Sequence, residues 1–229
     1  MSRRTRFSTS FLLLAVGAAS APAAAHAQDF SGQIGVATQY VGKGIGKSAE
    51  DPSVFGSVEV SAGQFYGSVF ASTAELSQGS DSEIVTTVGY RPEFAGFEFD
   101  LSAMNKDLPG TRSGVDANFM EYQADISRSL GPIGARLRVN YTPDGFAGTR
   151  EAWWVEGQAS MAIDRRTKAS AALGERTAEG GAEYVAWNAG VKRKLTDRLA
   201  LDVRWYDTDG HSRGEAYEGR LVGSLSLSF

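Results

Sequence analysis

Residues 42–48, GKGIGKS, gather glycines, two lysines and a serine, the residue types that cradle a phosphate. A phosphate loop also needs a glycine five positions before its second glycine, and with Gly46 in that role the place is held by Val41. The chain then reaches Pro52 without a helix for the phosphate to cap, so a glycine-rich loop is the expectation. A calcium site is suggested by DTDG at Asp207 to Gly210 with Glu215 and Glu218 downstream. That stretch lacks the third early oxygen ligand and the regular spacing to the final glutamate, and it lies between strand patterns, so it is read as a turn with solvated carboxylates and no metal is assigned.

Nucleophilic catalysis has little to work with. The chain contains no cysteine and only two histidines, of which His26 falls in the N-terminal export segment. A serine nucleophile needs a base within hydrogen-bond reach, and His211 sits in a polar loop away from any strand-borne serine. Acidic residues are common, but nothing singles out a carboxylate pair. No catalytic residue and no cofactor are assigned, and an enzyme is not expected.

The remaining chemistry is electrostatic. Glu98, Asp100, Glu121, Asp125, Arg136, Arg138, Glu156, Lys192, Asp202, Arg204 and Arg220 all fall on the polar parity of alternating segments. Opposite charges on neighbouring strands form ladders. Facing acidic and basic walls would set up a transverse field that orients polar solutes in a narrow pore.

Such charges need strands to position them. Apolar and polar residues alternate in about twelve segments, most cleanly where Ile133, Ala135, Leu137, Val139 and Tyr141 interleave with Arg136, Arg138 and Asn140. The stretch FYGSVFAST is blurred, with apolar residues on both parities. Short links such as AGQ, PEFAG, LGP, DRRT and LTDR alternate with longer polar ones such as GKGIGKSAEDP, KDLPGTRSGVDAN and TPDGFAGTR. Short turns on one side and long loops on the other describe an all-β, up-and-down antiparallel barrel of about 12 strands. Tyr40, Tyr90, Tyr141, Trp153, Trp205 and Phe229 stand near segment ends, where an interfacial girdle would place them, so a transmembrane barrel is preferred to a soluble one with an apolar core.

The ends fit this reading. Arg3, Arg4 and Arg6 precede an apolar run and AHA at Ala25 to Ala27, the pattern of a signal peptide cut after Ala27; the run is too diluted for a membrane-spanning helix. The domains are therefore residues 1–27, cleaved, and residues 28–229, the barrel. Cleavage removes three arginines, leaving 20 basic against 27 acidic residues, and this acidic balance argues against nucleic acid as a partner.

The closing LVGSLSLSF, with Leu225 and Leu227 spaced before a terminal Phe229, resembles the signal that bacterial barrel proteins present to their outer-membrane assembly machinery. The stretch from Tyr40 to Pro52, with Tyr40, Lys43, Gly44, Asp51 and Pro52, resembles the opening motif of the TorF-type porin family, as Tyr206 to Asp209 and the last strand resemble its close. Lys43 stands where that family's pattern has Arg, and Gly46 where it has Ser. The resemblance implies a bacterial outer-membrane channel for small polar or charged solutes, in contact with outer-membrane lipid and lipopolysaccharide; it carries no particular solute. A non-conducting structural or surface-recognition barrel is the alternative, and a barrel-embedded hydrolase the third reading.

Overall fold

Each alternating run forms a strand, and the strands follow one another around a single sheet. The computed structural model describes residues 28–229; the expected export segment, residues 1–27, lies outside the described residues. The strands are β1 (Gln28–Ala37), β2 (Ser53–Ala62), β3 (Phe65–Thr73), β4 (Ser82–Tyr90), β5 (Phe97–Asp107), β6 (Asn118–Leu130), β7 (Ile133–Gly145), β8 (Arg150–Ala162), β9 (Thr167–Ala178), β10 (Tyr184–Lys194), β11 (Leu199–Thr208) and β12 (Arg220–Ser228). Each pairs antiparallel with its sequence neighbours. The ring closes where β1 meets β12, with Ile34 opposite Leu227 and Val36 opposite Leu225. Phe229 completes the seam by exchanging two 3.0 Å backbone hydrogen bonds with Gly32. Strands of 9 to 13 residues are long enough to cross a hydrocarbon layer at a tilt.

The turns follow from local chemistry. Ala62 and Phe65 are paired across a two-residue turn that Gly63 enters at φ +62°, and Leu130 and Ile133 across one that Gly131 enters at φ +64°. Positive φ at the first turn position is what tight hairpins require and what glycine supplies without strain. The long links lie at the opposite rim, the extracellular one in this architecture. TPDGFAGTR is mostly strand: β7 runs on to Gly145, leaving residues 146–149 as the connection. The ladder holds at Thr142 opposite Ala152 and resumes at Gly145 opposite Arg150, with an irregularity between them where Pro143 has no amide to donate.

The outer face is apolar along its middle. Ile34, Val58, Val88, Leu137, Val155, Val191 and Val203 are all exposed, a continuous band far larger than a water-soluble monomer displays. Aromatic rings border the band. Tyr122, Tyr141 and Trp153 stand directly opposite one another across β6, β7 and β8 at the long-loop rim, the last two with ring centroids 4.5 Å apart. At the short-turn rim Phe65 pairs with Tyr90 and Phe30 with Phe229. The chain is thus a transmembrane barrel with lipid outside and polar side chains inside.

Tyr40 departs from the expected girdle. β1 ends at Ala37, the chain turns, and the Tyr40 ring points inward, where its hydroxyl donates to Glu83 at 3.1 Å. The blur in FYGSVFAST has the same cause: Phe65 and Val69 face lipid, while inward-facing Phe70 packs beside the Tyr40 ring and Tyr66 lies beneath Arg91.

Candidate functional site

Inward-facing positions on β5 to β8 carry charges at the spacing that cross-strand pairing needs. Arg138 forks onto Asp125 of the neighbouring β6 with bonds of 2.8 and 2.6 Å, and Arg136 reaches Glu156 of β8 at 2.7 Å. Asp100 and Asp125 stand directly opposite each other on β5 and β6, a like-charge pairing that repels. The repulsion is offset from both sides. While Arg138 holds Asp125, Asp100 accepts from Tyr66 at 2.7 Å and from Arg91 at 3.1 Å. Arg91 in turn forks onto Glu59 at 2.6 and 3.0 Å, with its guanidinium 3.6 Å from the Tyr66 ring centroid.

The other expected lumen residues also lie on the inward parity. Glu98 is exposed at the short-turn mouth and accepts from Ser127 at 3.3 Å. Lys192 and Asp202 are register partners on β10 and β11, but Asp202 has its contact with Arg204 on its own strand, at 3.4 Å. Arg204 also donates to Asn188 at 2.7 Å and to the Ser170 hydroxyl at 2.8 Å. Arg220 is buried and donates to the Gln39 side chain at 2.9 Å and to the backbone carbonyls of Glu218 and Glu215. Leu225, Leu227 and Phe229 face outward.

The largest feature inside the barrel was not foreseen. Residues 38–52, the first long loop, fold into the lumen as a small hairpin in which Val41 pairs with Gly46 and Gly42 with Ile45. Its tip is Lys43 and Gly44 at φ +51° and +84°, the two positive values that the commonest two-residue hairpin turn requires. Lys43 puts its amine 2.5 Å from Glu121 on β6, and Lys47 pairs with Glu83 on β4. Tyr184 on β10 donates its hydroxyl to the Lys43 carbonyl at 3.0 Å. Gly44 sits so close to β10 that a Cβ there would lie 2.3 Å from that of Ala186, and a Cβ on Gly46 would lie 2.0 Å from the Arg220 guanidinium on β12. In a ring of twelve, β6 and β12 are opposite walls, so the hairpin bridges the lumen.

The bridge is anchored by a buried polar cluster. Glu121 accepts from Lys43, from Lys106 at 2.9 Å, and from Asn140 and Thr142, both at 3.1 Å. Four donors on one carboxylate offset the cost of holding it away from bulk water. Burial, and after it the neighbouring Lys106 ammonium, pulls the Lys43 amine down to about 8. Burial, and then the Glu83 charge, pushes the Tyr40 phenol up. Trp154, Tyr184 and Ala186 form the buried apolar cluster on which Ile45 of the hairpin rests.

Sequence reasoning missed Glu83, Lys106 and Lys47 as lumen residues. The polar link KDLPGTRSGVDAN puts Lys106 in a loop, yet β5 continues to Asp107, and the parity of Asp100 and Ser102 carries on to Lys106. Glu83 lies on the polar parity opposite Ile84 and is only 2% exposed. The motif residues Tyr40, Lys43, Gly44, Asp51 and Pro52 all belong to this loop. Ser48 closes its base, accepting from the Tyr40 amide at 2.9 Å and donating to the Asp51 carbonyl at 2.7 Å just before Pro52 leads into β2. The DTDG stretch organises the last loop instead of gathering ligands: Asp207 pairs with His211 at 2.7 Å, and the Thr208 hydroxyl donates to the Tyr217 carbonyl at 2.7 Å. Among the described residues no group of three His, Asp or Glu side chains converges as a metal site.

Space remains on both sides of the hairpin. A cavity of about 830 Å³ lies beside it, lined by Lys43, Glu83, Lys106, Glu121, Arg138 and Trp154 among others. A second, of about 250 Å³, lies toward the short-turn side between β1, β2 and β10 to β12, lined by Lys192, Asp202, Arg204, Ser224 and Ser226.

The same fold occurs in solved barrels of low identity. The KdgM porin superposes with a TM-score of 0.61 at 11% identity, covering 87% of this chain and 99% of that one. The NanC porin gives 0.56 at 9% identity, covering 88% and 99%, and the COG4313 outer membrane channel from Pseudomonas putida F1 gives 0.53 at 12% identity, covering 87% and 95%. The KdgM porin is also solved in complex with disordered oligogalacturonate. No curated protein matches the sequence. A family model matches residues 20–224, nearly the whole barrel, and the chain belongs to that family, the bacterial proteins of unknown function designated Gcw_chp.

Proposed function

We propose that the protein is a passive diffusion channel of the bacterial outer membrane that passes small polar or charged solutes and performs no covalent chemistry. The observation that carries this reading is the inside-out distribution of side chains: an apolar outer band and a wet, charged lumen that still holds cavities of about 830 and 250 Å³. Likeness to the KdgM and NanC porins supports it, as does the solute complex of the former. The first-loop hairpin is the eyelet that sets the size limit. The opening and closing motifs support membership of the TorF type, and export by residues 1–27 would deliver the chain to the periplasm. Outward-facing Leu225, Leu227 and Phe229 would then address it to the barrel-assembly machinery, and the outer band would meet lipid and lipopolysaccharide.

One observation favours a non-conducting structural barrel: the hairpin bridges the lumen, held by ion pairs on β4 and β6 and by the Tyr184 hydrogen bond and close packing on β10 and β12. Planar-bilayer recording separates the two. Stepwise conductance from folded protein is expected; its absence would leave the structural barrel as the reading. Liposome swelling with uncharged sugars of increasing size then gives the exclusion limit.

A further inference from the structure

The lumen charges are segregated by strand, and their pairing is unequal. The acidic wall runs from β2 to β6 and carries Glu59, Glu83, Asp100, Glu121 and Asp125 in its interior, with Glu98 exposed at the short-turn mouth and bonded only to Ser127. Each of the five interior carboxylates has a cation within ion-pair distance: Arg91 on Glu59 and Asp100, Lys47 on Glu83, Lys43 and Lys106 on Glu121, and Arg138 on Asp125. Only Lys106 belongs to that wall; the others come from the first loop, a short turn and β7.

The opposite wall is left with an excess of positive charge. On β9 to β12 the inward parity carries Lys168, Arg176, Lys192, Lys194, Arg204 and Arg220 against Asp202, Lys168 and Lys194 at the short-turn mouth. Among the described residues, Arg176, Lys192 and Arg220 have no carboxylate within 4 Å; Arg176 and Arg220 are held by carbonyl and amide oxygens, which carry no compensating charge. In register, Arg220 lies opposite Tyr206, Arg204 opposite Val222 and Lys192 opposite Asp202, so the cations step down from the loop end toward the short-turn side. The series ends in the smaller cavity, where Lys192 stands among the hydroxyls of Ser224 and Ser226.

A conduit whose interior carboxylates are neutralised on one side and whose cations are not on the other presents a net positive potential to an ion inside it. Low-dielectric walls focus that potential along the axis. We infer that the passage selects small anions, with β9 to β12 as the conducting wall and Lys192 as the selectivity determinant at its inner end. This rests on the channel reading above. Carboxylate- or phosphate-bearing solutes are the class that such a wall recognises, through a mobile ammonium and flanking hydroxyl donors.

The test is the reversal potential of the folded barrel in a planar bilayer across a potassium chloride gradient. Chloride is expected to be the more permeant ion. Lys192→Glu is expected to lower the chloride-to-potassium permeability ratio roughly threefold, the weight of a charge acting in water-filled space. Ser224→Lys, in the same cavity, is expected to raise it and provides a second route if the first variant folds poorly. A potassium preference in the unaltered protein, or a ratio unmoved by both substitutions, overturns the inference and leaves the channel reading standing. Absence of conductance steps overturns both.

Discussion

Lys43 leaves the first wall of the barrel and places its amine 2.5 Å from Glu121, which stands on the strand opposite the closing one. That contact makes the first loop a bridge and gives the most direct prediction. In Lys43→Glu two carboxylates would meet where an ion pair stood, a repulsion of about 4 kcal/mol for charges some 4 Å apart near a protein surface. The hairpin tip is expected to leave the wall and single-channel conductance to rise, with the double variant Lys43→Glu/Glu121→Lys returning it toward the original level. Unchanged conductance in the single variant would mean that the loop does not set the constriction.

Gly44 tests the same bridge without altering charge. Its φ of +84° disfavours any side chain, and a Cβ would fall 2.3 Å from the Ala186 Cβ, well inside contact distance. Gly44→Ala is expected to weaken docking by about 1–3 kcal/mol, the usual cost of overpacking, and to raise conductance while leaving ion selectivity unaltered. A selectivity change of the size expected for Lys192→Glu would argue against a purely steric role.

The titration of Lys43 sets the direction of a pH effect. Docked, its amine is pulled down to about 8, chiefly by burial and then by Lys106; free in water a lysine titrates near 10.4. Between those values the docked loop binds fewer protons than the undocked one, so rising pH favours docking. Lys47, Lys106 and Glu121 face the same amine and contribute their own charges. Mean conductance is therefore expected to fall as pH is raised from 7.5 to 9.5, and Lys43→Met is expected to flatten that trend. A rise with pH in the unaltered protein would show that loss of the Glu121 ion pair outweighs the relief of burial.

The extent to which sequence revealed this site depends on range. Parity along a strand is local, so placing Arg136 and Arg138 inward and Leu137 outward needed only the alternation of neighbouring side chains. Strand count and the alternation of short and long links are local for the same reason. The inward turn of Tyr40 is not local: it follows from a partner 43 positions away, Glu83, and from a hairpin tip that docks on Glu121 and Ala186. Glycine spacing in GKGIGKS announced a loop without saying where it would go. Its two positive-φ positions and its lack of bulk now explain the composition: the backbone must pass against β10 and β12 where a side chain would clash.

Arg136 and Arg138 bear on selectivity through the carboxylates they cover. Neutralising both, as Gln, uncovers Glu156 and Asp125, the latter already opposite Asp100. The permeability ratio is expected to move toward cations, and the barrel to lose about 1–3 kcal/mol for each carboxylate left without its partner. Reversal potentials and urea unfolding report the two effects separately. Loss of stability without a shift in selectivity would place both arginines outside the conducting space and assign them to wall stability alone.

Leu137 decides what the outer face touches. It lies midway along β7, outward and about half exposed, between Ile126 and Gly157 in register, with Tyr141 marking the rim four residues on. On a water-facing surface Leu137→Arg would change stability by no more than about 0.5 kcal/mol. At the middle of a hydrocarbon layer the same change costs about 2–4 kcal/mol, and less toward the interfaces. Urea unfolding of the barrel from lipid vesicles is expected to show the larger loss for Leu137→Arg and a smaller one for Trp153→Arg at the rim. Equal and negligible effects at both positions would mean that the apolar band faces water.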